Sequence, residues 1–400
     1  MALPVTIISA AGLPGHNPPH RSSDGAFYTV VRASATAIDC YKATDPTDSF
    51  TVQDATGNPA AFTAVDFINT HQDGDVIHVV THDDGIYQYH TFNMATDAWV
   101  ITDETLLAVS GNSTPTFIWA STTVRSDGDV VVAYAGARDA VMGDRKERVD
   151  YARREGGSWT TGIALDAGGD NHYGNPNCHI DHDSDFVHCI WQFQPSAQDP
   201  PTTWETQESR SIDPSDNSLS TLVQYSPTTD RATEPILGMP NIIIYEDGAT
   251  DHINHFGSRR DDGTSLIGFK GRITSDAVDW TFGATFPTLT GDAYHNGDLF
   301  VGTLAVESIN MHMLYAGGGT NGADQDLYYA VSLDNGDSWA QSEEIDAITV
   351  NFIAAKAMNI GYDTILAYLY DDGGVQKYNQ KILQRRQPYF PNTQNTLLRM

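Results

Sequence analysis

Positive charge is what this chain has least of: 22 Lys and Arg stand against 52 Asp and Glu, a formal net charge of −30. A surface so acidic repels phosphate backbones and anionic headgroups, so nucleic acid and membranes are not expected partners. The imbalance is uneven, with 42 Asp but 10 Glu, and 16 Arg but 6 Lys. Hairpin turns prefer Asp, so much of the excess is expected to be structural. No apolar run is long enough to span a bilayer. The opening Met1-Ala2-Leu3-Pro4-Val5-Thr6-Ile7-Ile8 lacks the charged start and apolar core of a signal peptide. The expectation is a protein that stays in the host cytoplasm or leaves it by assembly into a virus particle. Sustained helical periodicity is missing too. Three cysteines, Cys40, Cys178 and Cys189, are too few for a disulfide framework.

What is present is a repeat. A short apolar run behind an acidic or glycine turn recurs seven times at a spacing of about fifty residues. Its copies are Ala26-Phe27-Tyr28-Thr29-Val30-Val31, Val76-Ile77-His78-Val79-Val80, Val130-Val131-Val132-Ala133-Tyr134, Phe186-Val187-His188-Cys189-Ile190-Trp191, Ile242-Ile243-Ile244-Tyr245, Met311-His312-Met313-Leu314-Tyr315 and Thr364-Ile365-Leu366-Ala367-Tyr368. Turns such as Gln72-Asp73-Gly74-Asp75 and Ser126-Asp127-Gly128-Asp129 supply the positive backbone angles of tight hairpins. Each unit reads as four strands A to D, with the apolar run as B. In the second unit these fall at 64–70, 76–82, 86–93 and 99–103. The pattern predicts an all-β fold, a seven-bladed β-propeller of four-stranded antiparallel blades. The seventh unit offers A at 351–357 and C at 375–383 but no D, so the orphan strand at 4–9 is expected to complete it. One domain, residues 1–383, is expected. The segment 384–400, with Arg385-Arg386-Gln387-Pro388-Tyr389-Phe390-Pro391, lacks the blade pattern and reads as a docking tail.

If the turn at Asp183-Ser184 centres a hairpin, Cys178 faces Cys189 and His179 faces His188. Buried thiols are the expected state, because a zinc site would need four converging ligands. His78, His188 and His312 recur at one position of strand B, as blade packing would require.

Ser332-Leu333-Asp334-Asn335-Gly336-Asp337-Ser338-Trp339 resembles the Asp-box of sialidase-like (BNR-repeat) propellers, through Ser332, Asp334, Gly336 and Trp339. Degenerate copies are Arg154-Glu155-Gly156-Gly157-Ser158-Trp159 and Thr274-Ser275-Asp276-Ala277-Val278-Asp279-Trp280. The resemblance implies a C to D hairpin and nothing about catalysis. The arginine motif and the tyrosine–glutamate pair of sialidase chemistry are not visible.

Gly169-Asp170-Asn171-His172-Tyr173-Gly174-Asn175-Pro176 resembles a blade entry in the ulvan-lyase-like polysaccharide lyases. That likeness implies His172 as base, Tyr173 as proton donor and Arg21 or Arg138 as the clamp for a uronate carboxylate. Three A-strand entries carry related clusters: His16-Asn17-Pro18-Pro19-His20-Arg21, His172-Tyr173-Gly174-Asn175 and Tyr294-His295-Asn296-Gly297. Convergence at one mouth would make His16, Asn17, His20, Asn175, Tyr294, His295 and Asn296 a glycan-binding cup. At the other mouth the A to B turns would gather Asp73, Asp75, Asp127, Asp129, Asp181, Asp183, Asp185 and Asp363. Clustered carboxylates suit calcium, and solvated turns account for them without it; no other metal or cofactor is implied.

The opening Ser22-Ser23-Asp24-Gly25-Ala26-Phe27-Tyr28-Thr29-Val30 resembles the start of bacteriophage tail and virion accessory proteins. The resulting expectation is a virion-associated propeller with a structural or receptor-glycan-binding role and no catalysis, docked to other virion proteins through its tail. The alternative is a polysaccharide lyase acting by β-elimination on a uronate-containing glycan.

Overall fold

Runs of β-branched and aromatic residues, cut by Asp- and Gly-rich turns, fold into strands alone. Among the described residues there is no helix, so none that could cross a membrane. The structure, a computed structural model, describes residues 3–9, 17–108, 119–137, 147–166, 172–181, 184–194, 206–225, 236–247, 250–259, 266–274, 277–285, 302–307, 310–317, 326–333, 340, 343–346, 350–360 and 363–385.

Strand β1 (Val5–Ile8) comes first. Blade 1 follows, with β2 (His20–Arg21), β3 (Phe27–Ser34), β4 (Ala37–Ala43) and β5 (Thr51–Gln53). Blade 2 holds β6 (Val65–Asp73), β7 (Val76–Asp83), β8 (Ile86–Asn93) and β9 (Ala98–Ala108). Blade 3 holds β10 (Ala120–Val124), β11 (Val130–Ala137), β12 (Glu147–Glu155) and β13 (Ser158–Ala164). In blade 4 these are β14 (His172–Ile180), β15 (Val187–Gln194), β16 (Thr206–Ile212) and β17 (Val223–Tyr225). Blade 5 has β18 (Ile236–Asp247), β19 (Thr250–Arg259), β20 (Leu266–Thr274) and β21 (Ala277–Thr285). Blade 6 has β22 (Gly302–Glu307), β23 (Asn310–Gly317), β24 (Asp326–Ser332) and β25 (Glu343–Asp346). Blade 7 is β26 (Val350–Ile360), β27 (Asp363–Asp372) and β28 (Gln376–Arg385), completed by β1.

Among the described residues there are seven four-stranded antiparallel sheets. The expected closure is present: β1 pairs with β28, Val5 opposite Tyr378 and Thr6 opposite Lys377. The same join packs Val5 and Ile7 with Ala354, Leu369 and Tyr378 of blade 7 and Phe27 and Val31 of blade 1. The last blade is thereby sealed to the first.

The apolar run of a second strand is buried on both its faces, as blade 3 shows. On β11, Val130, Val132 and Tyr134 pack with Phe67, Val80 and Tyr87 of blade 2. The alternate residues Val131 and Ala133 pack with Tyr173, Cys189 and Trp191 of blade 4. Period-two alternation therefore distributes one run between two neighbours. In blade 5 the expected rank is wrong: Ile242-Ile243-Ile244-Tyr245 lies on β18, the first strand, and pairs with β19. Here β18 packs against both β14 and β22.

First strands of successive blades, from β6 to β26, lie against one another and line the centre. Their free edges are closed by side chains. Asn69 Oδ1 accepts from Thr122 N at 3.0 Å, and Ser121 Oγ accepts from Cys178 N at 3.0 Å. Gln72 accepts from Arg21 N at 3.3 Å and donates to Arg21 O at 2.7 Å. Blade edges that would otherwise bury unpaired peptide groups are satisfied in this way.

The structural use of Asp is visible in the backbone. The described non-glycine residues with positive φ are Asp54, Asp84, Asp97, Asp103, Asp185 and Asn217. Strand β28 runs to Arg385, so Gln384 and Arg385 belong to blade 7 rather than to the tail; the remainder, 386–400, lies outside the described residues.

Candidate functional site

Each first strand runs from an entry mouth to a turn mouth, and that direction decides which expected residues can meet. His172 is the first residue of β14 and pairs with Gln194, at the entry mouth. Arg21 is the last residue of β2, paired with Phe27 beside the A to B turn, at the opposite mouth. The expected clamp and the expected base are therefore separated by the length of a blade. Tyr173 does not face the channel either: none of its surface is exposed, and its ring lies 5.4 Å from Phe193 in the core between blades 3 and 4. Strand alternation sends it into the blade interface. The lyase constellation of His172, Tyr173 and Arg21 is not assembled. Arg138 lies outside the described residues.

Blade 1 also departs from the expected cup. Asn17 is buried and donates from Nδ2 to Val30 O at 2.9 Å, tying the entry segment to strand B. His20 is buried as well, with Nε2 2.8 Å from Thr70 Oγ1 of blade 2. Both serve packing. Asn175 sits with Pro176 in a bulge between the pairs Gly174–Gln192 and Asn177–Ile190. Pro176 has no N–H for the ladder, which suits it to a bulge. His16, Tyr294, His295 and Asn296 lie outside the described residues. A polar pair the sequence reading missed stands at the entry mouth of blade 2, where Asp66 Oδ1 is 2.8 Å from His82 Nδ1. Asp66 occupies a bulge between Val65 and Phe67, between two buried apolar residues.

At the turn mouth the carboxylates are largely committed. Asp75 accepts from Ser23 N at 2.6 Å and Ser23 Oγ at 2.5 Å. Asp185 accepts from Ser126 N at 3.0 Å and from its hydroxyl. Each is a staple from one blade's turn to the next. Asp129 accepts from Arg153 Nε at 2.6 Å, and Asp127 from Asp129 N at 2.9 Å. Among the described residues no three His, Cys, Asp or Glu side chains converge as a metal-binding group; Asp183 is outside them.

The recurrent histidines of strand B act within blades. His78 Nδ1 is 2.7 Å from Tyr89 OH, His188 Nδ1 is 2.7 Å from Ser211 Oγ, and His312 Nδ1 is 2.8 Å from Tyr329 OH. Burial pulls His78 and His188 down to about 4. Cys178 does face Cys189, and His179 faces His188. The three cysteines are buried free thiols, and burial pushes Cys189 well above the usual thiol range.

Of the Asp-box residues, Ser332 ends β24 and is buried, while Asp334, Gly336 and Trp339 lie outside the described residues. The segment does fall between the third and fourth strands of blade 6. Its degenerate copy in blade 3 is fully described. Gly156 and Gly157, with φ of 56° and 85°, turn β12 into β13 as a type I′ hairpin requires. This hairpin carries a polar cluster that joins blade 3 to blade 2. Arg154 reaches across to blade 2, Nε and Nη2 donating to Glu104 Oε1 and Oε2 at 2.8 and 3.1 Å. Trp159 Nε1 donates to the same Oε1 at 2.6 Å. Tyr89 supports both from below, its ring 5.3 Å from Trp159 and 5.4 Å from the Arg154 guanidinium. The Arg154 contact holds the Glu104 carboxyl below its usual range. Arg154 and Glu104 keep 20% and 28% of their side chains exposed, so the pair is fixed yet reachable. In the sequence only Arg154 and Trp159 could be noticed. Glu104 arrives from fifty residues away.

No protein-family model matches the sequence, and no curated protein matches it. Solved structures do. An ulvan lyase of family PL25, bound to -[GlcA(1-4)Rha3S]-, is 12% identical over 93% of each chain, with a TM-score of 0.53. Polysaccharide lyase Uly1 is 10% identical over 93% of this chain and 90% of its own, also at 0.53. A mutant of AofleA from Arthrobotrys oligospora, with three arginines changed to alanine, is 8% identical over 85% and 88%, at 0.51. At such identities the likeness is one of fold, and with seven four-stranded sheets around a common centre the chain is a β-propeller.

Proposed function

We propose that the protein is a non-catalytic, glycan-binding propeller of a virus particle, with the Arg154–Glu104–Trp159 groove as a sugar site. The observation that carries the reading is the planar arginine–carboxylate pair fixed beside an indole. A sugar offers apolar C–H faces and ordered hydroxyls; an aromatic ring takes the first, and the spare lone pairs and N–H groups of the ion pair take the second. The shared fold with proteins that act on polysaccharide is consistent with it. Screening on a glycan array followed by calorimetry is the test. Trp159→Ala is expected to weaken binding tenfold or more, about 1.4 kcal/mol, with the melting curve checked in parallel. Binding that survives the change unaltered would remove the groove from the reading.

The alternative, a uronate-specific lyase, is favoured by the position of His172 at a blade entry. Incubation with uronate-containing polymers is expected to give no rise in ultraviolet absorbance. A rise that His172→Ala abolishes would replace the non-catalytic reading. The particle assignment rests on the resemblance of residues 22–30, and peptides of this protein are expected in digests of purified virions. Their absence from clean particles overturns it.

A further inference from the structure

Two of the three cysteines face each other across the first hairpin of blade 4, and the ladder fixes how closely. In an antiparallel pair of strands, residues that exchange N–H···O bonds alternate with residues that do not. Asp181 N donates to Phe186 O at 2.9 Å, which sets the phase. His179 and His188 then form a hydrogen-bonded pair, and Cys178 and Cys189 a non-hydrogen-bonded one. The amide of Cys178 agrees, because it leaves the ladder and donates to Ser121 Oγ of blade 3 at 3.0 Å. At such a pair the Cα atoms stand about 4.5 Å apart with the side chains drawn together, within the span a disulfide tolerates.

The thiols themselves are in contact. Cys178 Sγ donates to Ser121 O at 3.1 Å, and the Cys178 and Cys189 thiols hydrogen-bond each other. Both lie in the core between blades 3 and 4, with Val131, Ala133 and Trp191, and are 5% and 0% exposed. Cys40 is buried elsewhere, in the core between blades 1 and 2. We propose that Cys178 and Cys189 are an intrachain disulfide site, closed by a low-molecular-weight disulfide such as oxidised glutathione, which locks β14 to β15 at the seam of blades 3 and 4. One cysteine, as thiolate, attacks the oxidant and releases the first glutathione thiol; the other cysteine then displaces the second. The protein gives up two hydrogens, and one oxidised glutathione becomes two reduced ones. Because the pair is buried, the exchange proceeds when the seam opens. A reducing cytoplasm keeps the thiols, and an oxidising exterior favours the bridge.

Full-length reduced protein is warmed to just below its melting transition with excess oxidised glutathione, quenched in acid, denatured and alkylated. Refolding from guanidine in the same oxidant removes any barrier of access. The alkylated thiols are expected to fall from three to one, Cys40. A digest should contain one peptide pair, joined through Cys178 and Cys189, that dithiothreitol separates. The bridged form is expected to melt about 3 °C above the reduced form, since the cross-link constrains the unfolded chain. Three alkylated thiols after both exposures, glutathione held on Cys178 or Cys189 without a bridge, or a bridge to Cys40 overturns the site. An equal or lower midpoint in the bridged form overturns the lock.

Discussion

Deleting residues 1–9 is expected to cost about 5 kcal/mol and to lower the melting temperature by roughly 5 °C. Val5 and Ile7 are 2% and 8% exposed, and burying two such side chains contributes about 1.5–3 kcal/mol each. The pairing with β28 adds the ladder hydrogen bonds of one short strand. Without β1, blade 7 keeps three strands and β28 becomes an open edge, so aggregation should accompany the loss of stability. A synthetic peptide of residues 1–9, added in trans, should restore part of the transition. Calorimetry of the truncated protein that shows an unchanged midpoint would mean that the strand closes nothing.

Acid is the second strong perturbation. His78, His90 and His188 are buried with values near 4, 3 and 4, against about 6.5 in an unfolded chain. Burial lowers His90, and the geometry agrees: Nδ1 accepts from Asp103 N at 2.9 Å, so a proton there would set two donors face to face. Above pH 6.5 the histidines are neutral in both states and contribute no pH dependence. Below it the unfolded chain takes up three protons that the fold refuses. Stability should then fall by about 1.4 kcal/mol per pH unit for each histidine, roughly 4 kcal/mol per unit in all, down to about pH 4. Glu104, held low by Arg154, joins only below its usual range near 4.5. Guanidine midpoints at pH 7 and pH 5 measure the effect, and His90→Gln should flatten the slope by about a third. A midpoint independent of pH in this window would show that these rings are not held neutral.

The repeat was legible in residues because it is made by local physics. Second-strand runs such as Val130-Val131-Val132-Ala133-Tyr134 must be apolar on alternate residues toward both neighbours, and Asp- and Gly-rich turns must punctuate them. Register was legible in the same way, since the turn centre places Cys178 opposite Cys189. Even the closing strand could be inferred, from one blade short of a strand and one strand short of a blade. The candidate site was not legible. His172, Tyr173 and Arg21 looked like a unit on paper, yet strand direction sends Arg21 to the far mouth and side-chain alternation buries Tyr173. Asn17 and His20, polar and clustered, turn out to hold peptide groups and a neighbouring blade.

By itself, then, the sequence determined the blade: turn chemistry, the apolar runs and their repetition depend on neighbours along the chain or one hairpin away, while the loan of β1, which joins the two ends of the chain, was legible only through the strand missing from the seventh unit. Only the tertiary structure decided which polar groups face each other. Glu104 meets Arg154 and Trp159 from one blade to the next, Ser23 meets Asp75 and Ser126 meets Asp185 from turn to turn, and Arg125 donates to Asn217 of the neighbouring blade. Such contacts join residues fifty or more apart, and their geometry follows from how successive blades stack, which no local pattern encodes.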